Sequence, residues 1–147
     1  MELQKQVVSL ELAKKLKNLG VEQESLFEYR KFDNGKEFYW SLPMLVGTIP
    51  KKMGIADVGF GCVSAFTVAE LGEMLPKKII RKDWKEKEDK TNQYDIMFSF
   101  DNIINDNFQV WYQNTLSKIR MDTTYCANTE ANARAKMLIY LLENKLI

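Results

Sequence analysis

Hydrophobic positions recur along this chain with two periods, and the places where the period changes mark the elements. Between Ser9 and Gly20 the apolar residues Leu12, Leu16 and Leu19 fall at helical spacing with lysines on the other side, which predicts a helix. Ser9 stands at its N-cap, and Gly20 followed by Val21 predicts a left-handed ending in which Val21 reaches back to Leu16. Leu26 to Lys31 and Glu37 to Leu42 alternate instead, around Asp33-Asn34-Gly35-Lys36, the signature of a β-hairpin. Carried through the second strand, that alternation points Phe38, Trp40 and Leu42 inward and Glu37, Tyr39 and Ser41 outward.

From residue 43 to 66 neither period holds. This glycine-containing middle segment is expected either to hold short strands, such as Leu45 to Ile49 and Cys62 to Phe66, or to serve as a binding loop. Thr67-Val68-Ala69-Glu70 is a capping box flanked by Phe66 and Leu71 at the staple positions, and the short helix it starts ends at Pro76. Residues 77–93 form an exposed charged segment containing Trp84, with mixed signs that suit a solvated loop or a contact arm. Tyr94 to Phe100, Phe108 to Gln113 and Lys118 to Tyr125 alternate and predict an antiparallel meander. Thr129 caps a closing helix from Glu130 to about Asn144, whose stripe is Ala131, Ala135, Leu138 and Leu142, widened by Met137 and Leu141. The expected fold is α+β, a single domain over residues 1–147, with an antiparallel sheet of about five strands and three helices packed on one face.

Composition narrows the chemistry. The chain has 147 residues, a net charge of +1 and no histidine, which excludes Ser-His-Asp and Cys-His nucleophilic sites and every histidine-containing metal set. Cys62 and Cys126 are far apart without CxxC spacing and are expected to be reduced, largely buried thiols. No secretory leader or membrane-length apolar run is visible, so a cytoplasmic protein is expected. Gly59-Phe60-Gly61 is a fragment of a dinucleotide pattern and fits a turn or bulge. Glu70 with Glu73, and Asp101 with Asp106, could pair carboxylates, but capping and turn formation already account for Glu70 and the aspartates. Residues 101–107 miss calcium-loop spacing. No catalytic residue, metal ligand or cofactor is therefore assigned.

The outward positions of the meander carry the strongest candidate surface. Gln109, Trp111 and Gln113 share a face with Lys118 and Arg120, and Tyr39 and Arg30 are expected across the same sheet. Trp111, Tyr39, Arg120 and Gln113 are the candidate contact residues, since aromatic and guanidinium groups dominate protein-recognition hot spots. Cross-strand pairs of these types also stiffen exposed sheets without binding anything.

Three stretches, SLELAKKLKNLGVEQESLF from Ser9, AFTVAELGEMLP from Ala65 and TEANARAKMLIYLLENKLI from Thr129, resemble a family of small uncharacterised proteins encoded by phages and prophages. They cover the helical framework and leave the sheet unmatched. The resemblance implies a phage or prophage accessory protein and transfers no catalytic residue. The function expected is non-enzymatic binding of a host or phage protein through the open sheet face. The alternative is sequestration of a nucleotide or other small anion by residues 47–61, with Lys51 and Lys52 meeting the anion and Gly59 and Gly61 shaping the loop. Neither nucleic acid nor a membrane is expected as partner, and exposed strand edges leave room for a homodimer.

Overall fold

The computed structural model describes residues 2–33, 36–47, 61–81, 92–101 and 107–147. The helices are α1 (Leu10–Asn18), α2 (Val68–Met74) and α3 (Glu130–Glu143). The strands are β1 (Phe27–Asp33), β2 (Phe38–Trp40), β3 (Met44–Leu45), β4 (Cys62–Ser64), β5 (Lys78–Ile80), β6 (Gln93–Asp101), β7 (Asn107–Asn114) and β8 (Arg120–Ala127).

The α+β class holds, but the strands among the described residues divide into two antiparallel sheets of four rather than one sheet of about five. In the first, β1 is shared by all its partners. Glu28 lies opposite both Met44 of β3 and Ser64 of β4, so those strands flank β1 on its two edges. β2 pairs Trp40 with Lys31, and the Ser41 N–H donates to the Arg30 carbonyl at 2.8 Å, carrying β2 on toward β3 along one edge. That edge shifts register around Leu42 and Pro43, where proline has no N–H to give a ladder. The second sheet is the meander β5-β6-β7-β8.

The register shift corrects the expected facing of residues 38–42. Trp40 packs on the core and Tyr39 points away, but Leu42 is 68% exposed and Ser41 is buried instead. Phe38 remains 51% exposed, with the Lys31 ammonium 4.7 Å from its ring centre. The Asn34-Gly35 turn and residues 48–60 lie outside the described residues, so only β3 and β4 answer for the middle segment. The charged segment also hides a strand, because Ile79 of β5 is buried opposite Tyr94. Lys82 to Thr91, including Trp84, lie outside the described residues.

α1 packs on β4 and on α3, and α3 packs on β7, β8 and α2. One core therefore runs from Leu16, Tyr29, Val63 and Phe66 through Ala135, Met137 and Leu141 to Tyr94, Val110 and Tyr112. α3 buries Ala133 and Ile139 as well as the expected Ala131, Ala135, Met137, Leu138 and Leu141. Burial is wider than the expected stripe because the helix touches a sheet on one side and other helices on another.

Local signals set the helix ends. Val21 N–H donates to Leu16 O at 3.1 Å and Gly20 N–H to Lys17 O at 3.0 Å, with Gly20 at φ +85°, the Schellman ending expected from sequence. Ser9 occupies the N-cap backbone position of α1 without a side-chain cap bond, and its N–H donates to Asn132 Oδ1 at 2.8 Å, tying α1 to α3. The capping box of α2 is complete. Glu70 also reaches Ser25 Oγ at 3.1 Å and the Leu26 N–H at 3.1 Å, so the same carboxylate anchors the approach to β1.

Candidate functional site

α3 covers one face of the meander, and alternation along β7 places Val110, Tyr112 and Asn114 on that side, all fully buried. Gln109, Trp111 and Gln113 take the other face, with Met97 and Thr124 opposite Trp111 and with Asp95 and Arg120 opposite Gln113. The face was expected, but its geometry was not. Pairing passes from Trp111↔Thr124 to Gln113↔Arg120, so a single residue of β7, Tyr112, faces Met121, Asp122 and Thr123 of β8. This bulge sends Arg120 over the indole, with its guanidinium carbon 4.1 Å from the Trp111 ring centre. The indole N–H donates to Gln113 Oε1 at 3.5 Å. Trp111 is only 5% exposed although it lies outside the main core cluster, so it supports Arg120 from below rather than offering its own ring.

The turn leading into β8 is held from beneath. Asn114, fully buried, accepts at Oδ1 from the N–H groups of Leu116 (3.0 Å) and Ser117 (2.9 Å). Lys118 is part of this turn at φ +62° and not of the strand, and its ammonium donates to Thr115 O at 2.7 Å. The expected pairing of Lys118 with Arg120 on the sheet face is thereby corrected. Lys78 of β5 and Asp95 of β6, 3.7 Å apart, and exposed Ile80 and Met97 extend the same face. β5 went unread because Lys-Ile-Ile shows no alternation, whereas Asp95 and Met97 follow directly from the alternation of β6.

Tyr39 is not brought to this surface. It belongs to the first sheet, where its ring lies 5.8 Å from that of buried Phe32. Arg30 is there too, donating through Nε to Glu28 Oε1 at 2.6 Å. Trp111, Arg120 and Gln113 thus form one cluster, and Tyr39 sits apart because the strands divide between two sheets. Of the residues named for an anionic ligand, Lys51, Lys52 and Gly59 lie outside the described residues. Gly61 adopts φ +104° at the head of β4, and its carbonyl accepts from the Lys31 N–H at 3.0 Å, a structural role on the β1 edge.

Three titratable groups away from this cluster, Glu70, Tyr112 and Tyr29, tie elements of the fold together. Partial burial pushes the Glu70 carboxyl up, but hydrogen bonds from the Thr67 N–H, the Thr67 hydroxyl, the Leu26 N–H and the Ser25 hydroxyl outweigh it and hold it below the usual carboxylate value. Burial raises the Tyr112 phenol, which donates to Pro76 O at 2.7 Å, and the Tyr29 phenol, which donates to Val8 O at 2.7 Å. Cys62 and Cys126 are both exposed, which corrects the expectation of buried thiols. Among the described residues no group of three or more His, Cys, Asp and Glu side chains is placed to hold a metal ion, and no helix is long and apolar enough to cross a membrane. Comparison with protein families, with curated proteins and with solved structures finds no match.

Proposed function

We propose that this protein is a non-enzymatic accessory protein of phage or prophage type that binds a host or phage protein through the outer face of the β5-β8 sheet. The observation that supports this reading is the Arg120 guanidinium lying over the Trp111 ring and flanked by Gln113 on the sheet face opposite α3. A guanidinium held over an indole has already lost part of its rotamer freedom, so presenting its donors to a partner costs less entropy than it would from a free arginine. Exposed Ile80 and Met97 provide apolar contact area nearby. In this reading Arg120 and Gln113 touch the partner, and Trp111 holds Arg120 in place.

The test is affinity capture from host and phage-infected lysates with the whole chain, Arg120→Glu with Gln113→Ala, and the exposed α1 change Glu11→Lys as control. A protein retained by the wild type and by Glu11→Lys but lost from the double variant supports the reading. Capture that survives the double variant unchanged refutes it.

A further inference from the structure

A second surface lies on the opposite side of the meander, beyond the helices that cover it. A cavity of ≈ 550 Å³ opens where the N-terminal segment, the start of α2, the end of β8 and the start of α3 meet over Phe108. Its apolar lining is Phe108, Val68 and Ala69. Phe100 packs on Phe108 in a tilted arrangement, with ring centres 4.7 Å apart, and is 52% exposed, so the aromatic floor continues outward. We infer that this groove is a binding site for a neutral, largely apolar small molecule carrying one or two aromatic rings. The site is separate from the sheet face of the proposed function and does not depend on it.

Size is the first argument. Small-molecule sites enclose roughly 300–1,000 Å³ and are mostly apolar with a few polar groups at the edge, and this groove meets both conditions. Charge is the second. Among the described residues the ionised groups of the lining are Lys5 and Glu130: Lys5 lies 3.7 Å from Glu2, and Glu130 receives Nε of Arg134 at 3.0 Å. Lys5 and Glu2 are both more than two-thirds exposed, so that pair is weak. The two cations and two carboxylates here nevertheless sum to zero and select an ion of neither sign, and an ion entering the apolar part of the groove would lose hydration. The third is the treatment of exposed rings. Lys31 lies over Phe38, and Arg134 lies 4.4 Å from the ring centre of Phe98, whereas among the described residues no cation covers Phe100 or Phe108. Finally, the walls are set in advance. Val68 N–H donates to Gln6 O, Val8 N–H to Phe66 O and Asn132 N–H to Thr129 Oγ1, so a ligand would not have to order the groove on entry.

Two probes with one skeleton test this. N-phenyl-1-naphthylamine is neutral, and 8-anilino-1-naphthalenesulfonate adds a sulfonate to the same ring system. Fluorescence titration of the intact protein is expected to show saturable binding of the neutral probe, and binding of the sulfonate weaker by roughly tenfold or more. Ala69 is exposed in the first turn of α2, so Ala69→Trp fills the groove at small cost to the fold. Ala69→Glu puts a carboxylate there where the helix dipole favours it, and serves if the tryptophan variant does not fold. Each is expected to weaken the neutral probe by roughly tenfold or more, while Arg120→Glu leaves it unchanged. The inference is overturned if the neutral probe does not saturate, if the sulfonate binds as tightly, or if the folded Ala69 variants bind like the wild type.

Discussion

Glu70 joins two pieces of chain that are distant in sequence, the start of α2 and residues 25–26. Its carboxylate accepts from the Thr67 N–H at 2.6 Å, the Thr67 hydroxyl at 2.8 Å, the Ser25 hydroxyl at 3.1 Å and the Leu26 N–H at 3.1 Å. Replacing Glu70 with Ala removes the reciprocal half of the capping box and the tether at residues 25–26. Hydrogen bonds to charged groups are worth about 1.5–3 kcal/mol when well buried, but this carboxylate keeps part of its water and the four bonds are not additive. Losing a cap costs about 1 kcal/mol and losing the tether a similar amount, giving about 2 kcal/mol for Glu70→Ala. In a chain of this length that lowers Tm by about 4–8 °C. Glu70→Gln keeps an acceptor for the capping box and loses the charge, so it should cost about 1 kcal/mol. The pH dependence separates the two contributions. A carboxyl held below its ordinary 4.5 contributes stability that is fully present above that value and disappears as pH falls through the lower folded-state value. Urea unfolding followed by circular dichroism should therefore show a gap between wild type and Glu70→Gln that is constant from neutral pH down to about 4.5 and closes in stronger acid. A gap that stays open in acid would remove the charge from this account. A cost below about 0.5 kcal/mol for Glu70→Ala would remove the network itself.

Tyr112→Phe strands the Pro76 carbonyl beside a buried ring and should cost about 1–2 kcal/mol in urea unfolding. Trp111→Ala should cost about 3 kcal/mol because the indole is almost wholly covered, whereas Arg120→Ala should cost no more than about 1 kcal/mol; thermal unfolding of both variants checks the assignment of support and contact roles. Lys145 ends α3 at φ +53° in a Schellman motif closed by Leu146 N–H to Leu141 O, so Lys145→Gly should stabilise by about 0.5–1 kcal/mol, read as a rise in Tm. Both cysteines should react with Ellman's reagent in the native protein, without denaturant.

What the sequence revealed follows the range of the interactions concerned. The Gly20-Val21 ending and the Thr67-Glu70 box are settled within a few residues, and both stand in the structure as read. The alternation of β6 and β7 is equally local, and it assigned the faces of Val110, Trp111 and Tyr112 correctly. The division into two sheets is not local, since it depends on Glu28 facing Met44 and Ser64 together, and no pattern within β1 announces that. The exposure of Leu42 comes from the register shift beside Pro43, and β5 was hidden by an apolar pair inside a charged run. At the candidate surface the residue types and their side of the sheet were legible. The cover of Arg120 over Trp111 was not, because it depends on a bulge that only the pairing of β7 with β8 defines.

The cations of this chain do more than balance its acids. Lys14 lies 4.5 Å from the ring centre of Trp40, Lys31 lies over Phe38, Arg120 over Trp111 and Arg134 over Phe98. Each pair covers aromatic surface with a hydrated charge, which keeps the rings packed while making that surface a poor place for an apolar molecule. Phe100 and Phe108 lie against each other, and among the described residues no cation covers either ring. The two proposed surfaces therefore differ in kind: one presents a guanidinium supported by a ring, the other presents rings without a cation. Placing a carboxylate at each surface should separate them in both directions. Arg120→Glu should abolish protein capture and leave the neutral probe bound, and Ala69→Glu should expel the probe and leave capture intact. If either variant impaired both activities, the two surfaces would be coupled through α3 and the strands it covers, and the assignment of two independent sites would fail.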